Sequence, residues 1–416
     1  MISSLPEIEK RIGSKDNKSD GVKSYDEDNC YPQNMIDIVN ASGTATACVN
    51  LYAKFIQGGG FVDETFYKAK INSKGLTTDK LLAKISKRFA LLNGYAIHVN
   101  YNALLQIVEV SHIPFEYCRL GIGKHEGKIA VYDDWACEKS SSIDKNKIQF
   151  IDVFNPDEFV LRAQIGEDIS EYKGQILWRS ALGDDYPLAP YDSVVEDIIS
   201  DSDMKRFRLR SIRKGFNAST VIEYGYEFEG DEERKNEVEN WGKFIGPESS
   251  DVIVIENANG NGDDKGIKLS KLDVTNNDKM YETTNNTVIN SIVRIFNQPK
   301  RLVGLSEDKG FNSVDVEADY KYYNSVTYKE RLMIEEDFKM IFEKFYYDIN
   351  PSKNYSIIPL QYESGKSKLV SNFGDTIGDK VMSVLGSSLL PAQKVNMLVM
   401  IYNFSQEDAQ KIVLGL

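Results

Sequence analysis

The chain has 416 residues, enough for two or three ordinary domains, and its 41% hydrophobic and 11% aromatic content supplies a sizeable core, which excludes a mostly disordered polypeptide. Lys plus Arg number 50 against 63 Asp plus Glu, a formal net charge of −13. That balance excludes holding nucleic acid by a broad phosphate-neutralising patch, because such affinity comes from clustered Lys and Arg. No stretch approaches about 18 consecutive apolar residues, so no membrane span is expected. The opening MISSLPEIEKRIGS lacks the basic and apolar segments of a secretion signal. Cys30, Cys48, Cys118 and Cys137 stand far apart with no C-x-x-C pair, a usage that fits a reducing, intracellular setting.

In chain order, residues 13–29 are polar, charged and glycine-punctuated and read as part of a flexible N-terminal arm spanning 1–30. Met35, Ile38 and Val39, then Val49, Tyr52, Ala53 and Ile56, fall at helical spacing up to Gly58-Gly59-Gly60, which reads as a helix stop and turn. A second helix is expected from Thr78 to about Leu92, with Asn93-Gly94 as its stop. From Tyr95 the period becomes alternating: YAIHVNYN, LQIVEVS, FEYCRLG, KIAVYDDW and KIQFIDVFNP predict an antiparallel meander, to which QILWRSAL (175–182) adds a strand.

After Pro187 and Pro190 a helix of more than twenty residues is predicted, acidic in its first half and basic in its second, where Lys205, Arg206, Arg208, Arg210, Arg213 and Lys214 crowd together. This sorting complements the helix dipole. Residues 217–273 read as a compact insert: strand ASTVIEYGY, an acidic helix, strand DVIVIEN, the turn NGNGDD of the kind that joins antiparallel strands, and strand KGIKLSKLDV. A long helix over about 277–297 is broken by Pro299. The glycine-punctuated PKRLVGLSEDKGFN leads to the longest predicted helix, about 313–347, followed by strand NYSIIPLQY and short C-terminal helices.

Motifs of catalysis are missing. There is no G-x-x-x-x-G-K-[ST] and no G-x-S-x-G, and Gly121-Ile122-Gly123 with Gly127 misses the dinucleotide pattern by one residue. His112, Cys118, His125 and Cys137 fit no zinc spacing, and NANGNGDDKG lacks the twelfth-position acid of a calcium loop. No catalytic residue, metal or cofactor is expected.

The order of parts is more specific. Two long helices flank a small acidic α/β insert, and the second breaks at Ile295-Phe296-Asn297-Gln298-Pro299 followed by Leu302-Val303-Gly304. This resembles the portal proteins of tailed bacteriophages, of the short siphophage type, over most of the chain from residue 31. The helix–strand opening with GGGF and the ending LLPAQKVNMLVMIYNFSQEDAQKIV are similar in style to portal wing and crown segments.

The resemblance implies an α+β, portal-like fold: a mixed helix/antiparallel-sheet wing (31–189), stem helices (190–216 and 277–297), a small α/β clip (217–276), a tunnel loop (298–312), a long wing helix and strand (313–362) and a helical crown (363–416). It implies a ring of about 12 subunits at a capsid vertex, assembled in the host bacterial cytoplasm. Double-stranded DNA would pass through, the terminase large subunit and a head–tail adaptor would dock, the major capsid protein would surround the ring, and no membrane is involved. Twelve copies would carry a charge on the order of −150, which lets phosphate slide rather than stick.

Pro299, Lys300, Arg301 and Lys309 become candidates for the DNA-channel loop, with ordinary solvated loop charge as the other account of the three bases. Glu232, Glu233, Glu237 and Glu239 become candidates for motor or adaptor docking, with a solvated helix face as the alternative. The strands at Val221 and Val254 are expected to build a belt between subunits. The basic end of the first stem helix would meet either a neighbour's acids or DNA. Another virion structural or adaptor protein, or a soluble enzyme with an unrecognised site, are the alternative readings.

Overall fold

The computed structural model describes residues 15–17, 20–135, 145–166, 169, 171–181, 183, 185–213, 220–224, 230–245, 253–256, 267–271, 278–305, 313–362, 381, 384–387, 389–402 and 404–414. They fall into two units, one of Met1–Ser306 with Tyr323–Pro359 and one of Glu307–Tyr322 with Leu360–Leu416. The expected crown thus forms one unit with the segment beginning at residue 307.

In the first unit, the flexible-arm expectation is corrected for residues 15–17 and 20–30, while 1–14, 18 and 19 lie outside the described residues. A short hairpin, β1 (Asp16–Asn17) and β2 (Val22–Lys23), bridges from Val22 to Gly121. Val22, Tyr25 and Cys30 are fully buried, and the Tyr25 ring stacks 5.4 Å from Tyr31 and 4.1 Å from Tyr186. A few anchors set in a polar stretch outweigh its composition. Cys30 is disulfide-bonded, contrary to the expectation from cysteine spacing, whereas Cys48 and Cys118 are buried free thiols.

The first helical run is two helices, α1 (Tyr31–Ala41) and α2 (Gly43–Gln57), parted at Ser42. The Ser42 hydroxyl accepts from the Ala45 backbone N–H at 3.0 Å as the α2 N-cap. Helix α2 stops at Gly58, whose φ of 61° is left-handed and where a Cβ would sit 2.2 Å from the Ile358 carbonyl. A short helix α3 (Glu64–Tyr67) is capped by Asp63, and α4 (Thr78–Leu92) ends as expected at left-handed Asn93.

Strands β3 (Gly94–Tyr101), β4 (Ile107–Ile113), β5 (Cys118–Leu120), β6 (Lys128–Val131), β7 (Gln149–Val153) and β8 (Gln175–Ser180) form one sheet in the order β4-β3-β8-β7-β6-β5. This corrects the meander. β8 enters the middle, antiparallel to β3 and parallel to β7. A parallel pair needs a crossover, supplied by the unanticipated helix α5 (Glu158–Ile165). The Asp157 carboxylate caps α5, accepting from the Phe159 N–H at 2.8 Å. Fully buried Gln175 ties crossover to sheet, accepting from the Tyr101 hydroxyl at 2.7 Å and donating to Gln164 at 2.6 Å.

Helix α6 (Val195–Arg213) packs along α8 (Asp278–Ile295). Buried Asp201 on α6 accepts from Ser42 Oγ at 2.5 Å and pairs with Lys205 Nζ at 2.7 Å. Burial alone would raise its pKa, but the bonds from Lys205 and Ser42 hold the carboxyl below the ordinary range. A depressed folded-state pKa gives stability that is present above the unfolded value and lost as pH falls through the folded one. Titration from about pH 4 downward is therefore expected to loosen α6 from the α1–α2 junction, and Asp201→Asn should remove that acid step; hydrogen exchange of α6 amides against pH checks it.

Helix α7 (Asp231–Ile245) belongs to the insert, whose strands β9 (Thr220–Tyr224), β10 (Ile253–Glu256) and β11 (Ile267–Lys271) run in the order β10-β9-β11. β10 is parallel and β11 antiparallel to β9. NGNGDD itself lies outside the described residues, but the expectation that it joins a hairpin pair is corrected for the strands flanking it, since β9 lies between them. Val221 sits on the central strand, already paired on both sides, so of the two belt positions only Val254 lies at a sheet edge.

The predicted 313–347 helix is two, α9 (Ser313–Val326) and α10 (Tyr328–Phe342), parted at Thr327. The Thr327 hydroxyl donates to the Tyr323 carbonyl at 3.0 Å, and buried Arg331 donates to the carbonyls of Phe55 (2.8 Å) and Asn324 (2.6 Å) and to Thr327 Oγ1 (2.6 Å). Carbonyls released at the break are thus met by a cation, the charge a helix C-terminus favours. In α10, Phe338 and Phe342 join Phe61 and Phe66 in an aromatic cluster. The second unit, described by itself, has a small core of Val381, Val384, Leu398, Ala409 and Ile412 around helices α11 (Pro391–Tyr402) and α12 (Gln406–Leu414).

Candidate channel loop and acidic helix

The loop candidates begin at the end of α8. Asn297 is left-handed (φ 51°), its N–H donates to the Arg294 carbonyl at 2.9 Å, and the Gln298 N–H donates to the Val293 carbonyl at 3.3 Å. This pair of reverse bonds is the Schellman stop. The helix therefore ends before Pro299 is reached, which corrects the role given to that proline. Pro299→Ala is expected to leave the helix end in place, while Asn297→Ala should cost about 1–2 kcal/mol for a Cβ-bearing residue without a polar side chain at positive φ; comparative thermal unfolding, with Asn297→Gly as the tolerated control, checks the contrast.

Gln298 is buried and its amide donates to the Cys48 carbonyl at 2.7 Å and to the Tyr323 hydroxyl at 2.9 Å. Pro299 then opens a 3₁₀ turn over Lys300–Val303, closed by Gly304 at φ 75°. The turn brings Pro299, Lys300 and Arg301 together, with Lys300 exposed and Arg301 half-buried. Val303 and Leu305 pack against the core. Lys309 lies outside the described residues. The sequence reading named Asn297 and Gln298 only as part of the stretch at the helix end and gave them no role of their own; Asn before Gln-Pro was the available signal, since Asn tolerates the left-handed region.

On α7, Asp231, Glu232 and Glu233 fill the first turn, where anions complement the helix dipole. Glu232, Glu233 and Glu239 are exposed. Helical spacing sets Glu232 with Glu239 (i, i+7) and Glu233 with Glu237 (i, i+4), so the four acids divide between two stripes. Among the described residues no group of three or more His, Cys, Asp or Glu could hold a metal ion, and no helix is long and apolar enough to cross a membrane. His112, half-buried on β4, has its pKa pushed down to about 4 by desolvation, with Arg88 and Lys84 adding to the effect.

No protein-family model and no curated protein matches the sequence. Among solved structures, the chain is similar to the neck of an empty gene transfer agent particle (10% identity, covering 88% of this chain and 93% of that one, TM-score 0.49). It is similar also to the virion of a native gene transfer agent particle (12%, 88% and 92%, TM-score 0.45). A third likeness is to an HK97-family phage portal protein from Corynebacterium diphtheriae (9%, 69% and 85%, TM-score 0.40).

Proposed function

We propose that this chain is a portal subunit: about twelve copies close a ring at a capsid vertex, through which double-stranded DNA is packaged and ejected. The observation that carries the reading is the order of parts. Two long helices, α6 and α8, pack on one another and flank the acidic insert of β9–β11 and α7; a stopped helix end and a basic turn follow, and a broken helix returns to the core. On this reading residues 31–189 with 313–362 are the wing, 190–216 and 277–297 the stem, 217–276 the clip and 363–416 the crown.

The 298–312 segment, with Pro299, Lys300, Arg301 and Lys309, faces the channel. Lys300 supplies transient phosphate contacts from a turn whose other side is anchored in the core. The ring is built in the host cytoplasm and held in the virion by the major capsid protein. The clip sheet has β10 at an edge, a template for pairing with a neighbour. Glu232, Glu233, Glu237 and Glu239 receive the terminase large subunit and then the head–tail adaptor, through charge complementarity that speeds encounter more than it deepens affinity. Negative-stain images and native mass of the purified chain test the reading: rings with a central hole support it, and monomer at every concentration overturns it. Changing Glu232, Glu233 and Glu237 to Lys should leave rings intact and weaken motor binding most at low salt; unchanged binding at low salt removes the docking role alone.

A further inference from the structure

One stripe of α6 presents an unusual surface. Ile199, Arg206 and Leu209 fall at i, i+7 and i+10 and so share one stripe of the helix. Ile199 is 43% and Leu209 49% exposed, and the Arg206 side chain is 68% exposed, touching only Asp203 at 3.6 Å among the ion pairs of the described residues. Another face of the same helix is covered, with Ile198, Asp201 and Ser202 buried. Met204 still packs against the core, and residues 206–209 beyond it are exposed. On α8, residues 282, 283, 284, 286 and 287 are exposed as well, so the described residues in the outer part of this helix pair share little apolar seam. Helices gain most of their stability from packing an apolar face, and a pair without one is marginal in water.

Charge narrows what covers the stripe. Residues 203–213 hold five basic side chains against one acid, within a chain of net charge −13. An acidic partner is called for, and every further copy of the chain is one. Two aliphatic side chains flanking a guanidinium suit a protein face; against DNA phosphates they would be desolvated for no return.

We propose that the Ile199–Arg206–Leu209 stripe of α6 is the face on which a second copy of this chain docks, its acids meeting Arg206 and its apolar side chains covering Ile199 and Leu209. The proposal rests on the ring reading and adds the face and its chemistry. The experiment follows assembled mass against concentration for the full chain and for Arg206→Glu, Leu209→Asp and Ile199→Asp, with circular dichroism as the check on folding. Arg206→Lys and Leu209→Met are the conservative controls. The expected result is folded variants whose half-assembly concentration rises at least tenfold, controls near wild type, and a wild-type curve that weakens with salt. Rings forming in the folded variants as readily as in wild type overturn the docking face and leave the ring reading standing. A wild-type chain that never assembles overturns both. Tenfold weaker binding of Arg206→Glu to a short DNA duplex, with its assembly curve unchanged, assigns the stripe to nucleic acid and likewise overturns the proposal. Should the Asp variants fail to fold, Arg206→Glu decides alone, since it changes an exposed side chain.

Discussion

Asp337→Ala is expected to destabilise the first unit by about 3–5 kcal/mol, the cost of breaking a buried ion pair from one side. Asp337 on α10 is fully buried against the sheet. Its carboxylate accepts from the Tyr95 hydroxyl of β3 at 2.5 Å, from Arg179 Nε of β8 at 2.8 Å, and again from Arg179 Nη2. The bond to Asp337 pushes the Arg179 guanidinium well above its usual range, and burial, reinforced by Asp337, pushes the Tyr95 phenol up. With the carboxylate gone, a buried phenol and a half-buried cation lose their acceptor. A urea midpoint shift measures the loss. Replacing all three together (Asp337→Leu, Arg179→Met, Tyr95→Phe) should recover most of it, because the penalty lies in stranded polar groups more than in the pair itself; a triple variant as unstable as the single one would contradict this.

Arg119→Met should cost a comparable amount, about 3 kcal/mol, and free the N-terminal hairpin. Arg119 is fully buried without a carboxylate partner among its hydrogen bonds. Nε donates to Asn29 Oδ1 and Nη2 to the Asn29 carbonyl, both at 2.6 Å, while Nη1 donates to the carbonyls of Glu116 (3.0 Å) and Cys118 (2.8 Å). Its guanidinium lies 5.6 Å from the Tyr25 ring and 5.1 Å from the Trp135 ring. Burial pushes its pKa down to about 10, so it stays charged at neutral pH. Lysine offers no planar fork for these several acceptors and should not rescue. Hydrogen exchange over residues 15–30 is the readout: rapid exchange there with a protected sheet is expected, and unchanged protection would show that the hairpin's other contacts, among them the Val22–Gly121 bridge and the Tyr25 ring, hold it without Arg119.

Local rules carried the sequence reading where a single element decided the outcome. The Gly58 and Asn93 stops, α4, and the strand character of 95–101 and 107–113 all follow from period and cap chemistry. Reading failed where a side chain distant in sequence made the choice. The Thr327 break depends on Arg331 reaching Phe55, and the Ser42 break on Asp201, some 160 residues away. Sheet order was equally hidden: β8 had strand character, but nothing local placed it between β3 and β7. In the candidate loop the bases were legible, whereas the Gln298 anchor appeared only once Cys48 and Tyr323 were brought beside it. The four acids of α7 were legible as a charged helix, and their division into two stripes follows only once the helix register is fixed.

The placement of β8 also constrains how the chain folds. β3 and β4 are neighbours in sequence and close as a hairpin, and β5, β6 and β7 are likewise sequential, but the β3–β8 register joins residues roughly 80 positions apart. Until β8 arrives, β3 and β7 each present an unpaired edge, and both are rich in Val, Ile and aromatic side chains. Long-range pairing of this kind is slow because loop closure precedes any reward. During synthesis the ribosome must emit about 80 residues after β3, several seconds at roughly 5–20 residues per second, before the β3 edge can be sealed, whereas β7 waits only for the α5 crossover. Losses during expression should therefore track the speed of β8 insertion more than final stability, and substitutions that slow the β7–α5–β8 crossover should fill inclusion bodies with chains that, once folded, are as stable as any other.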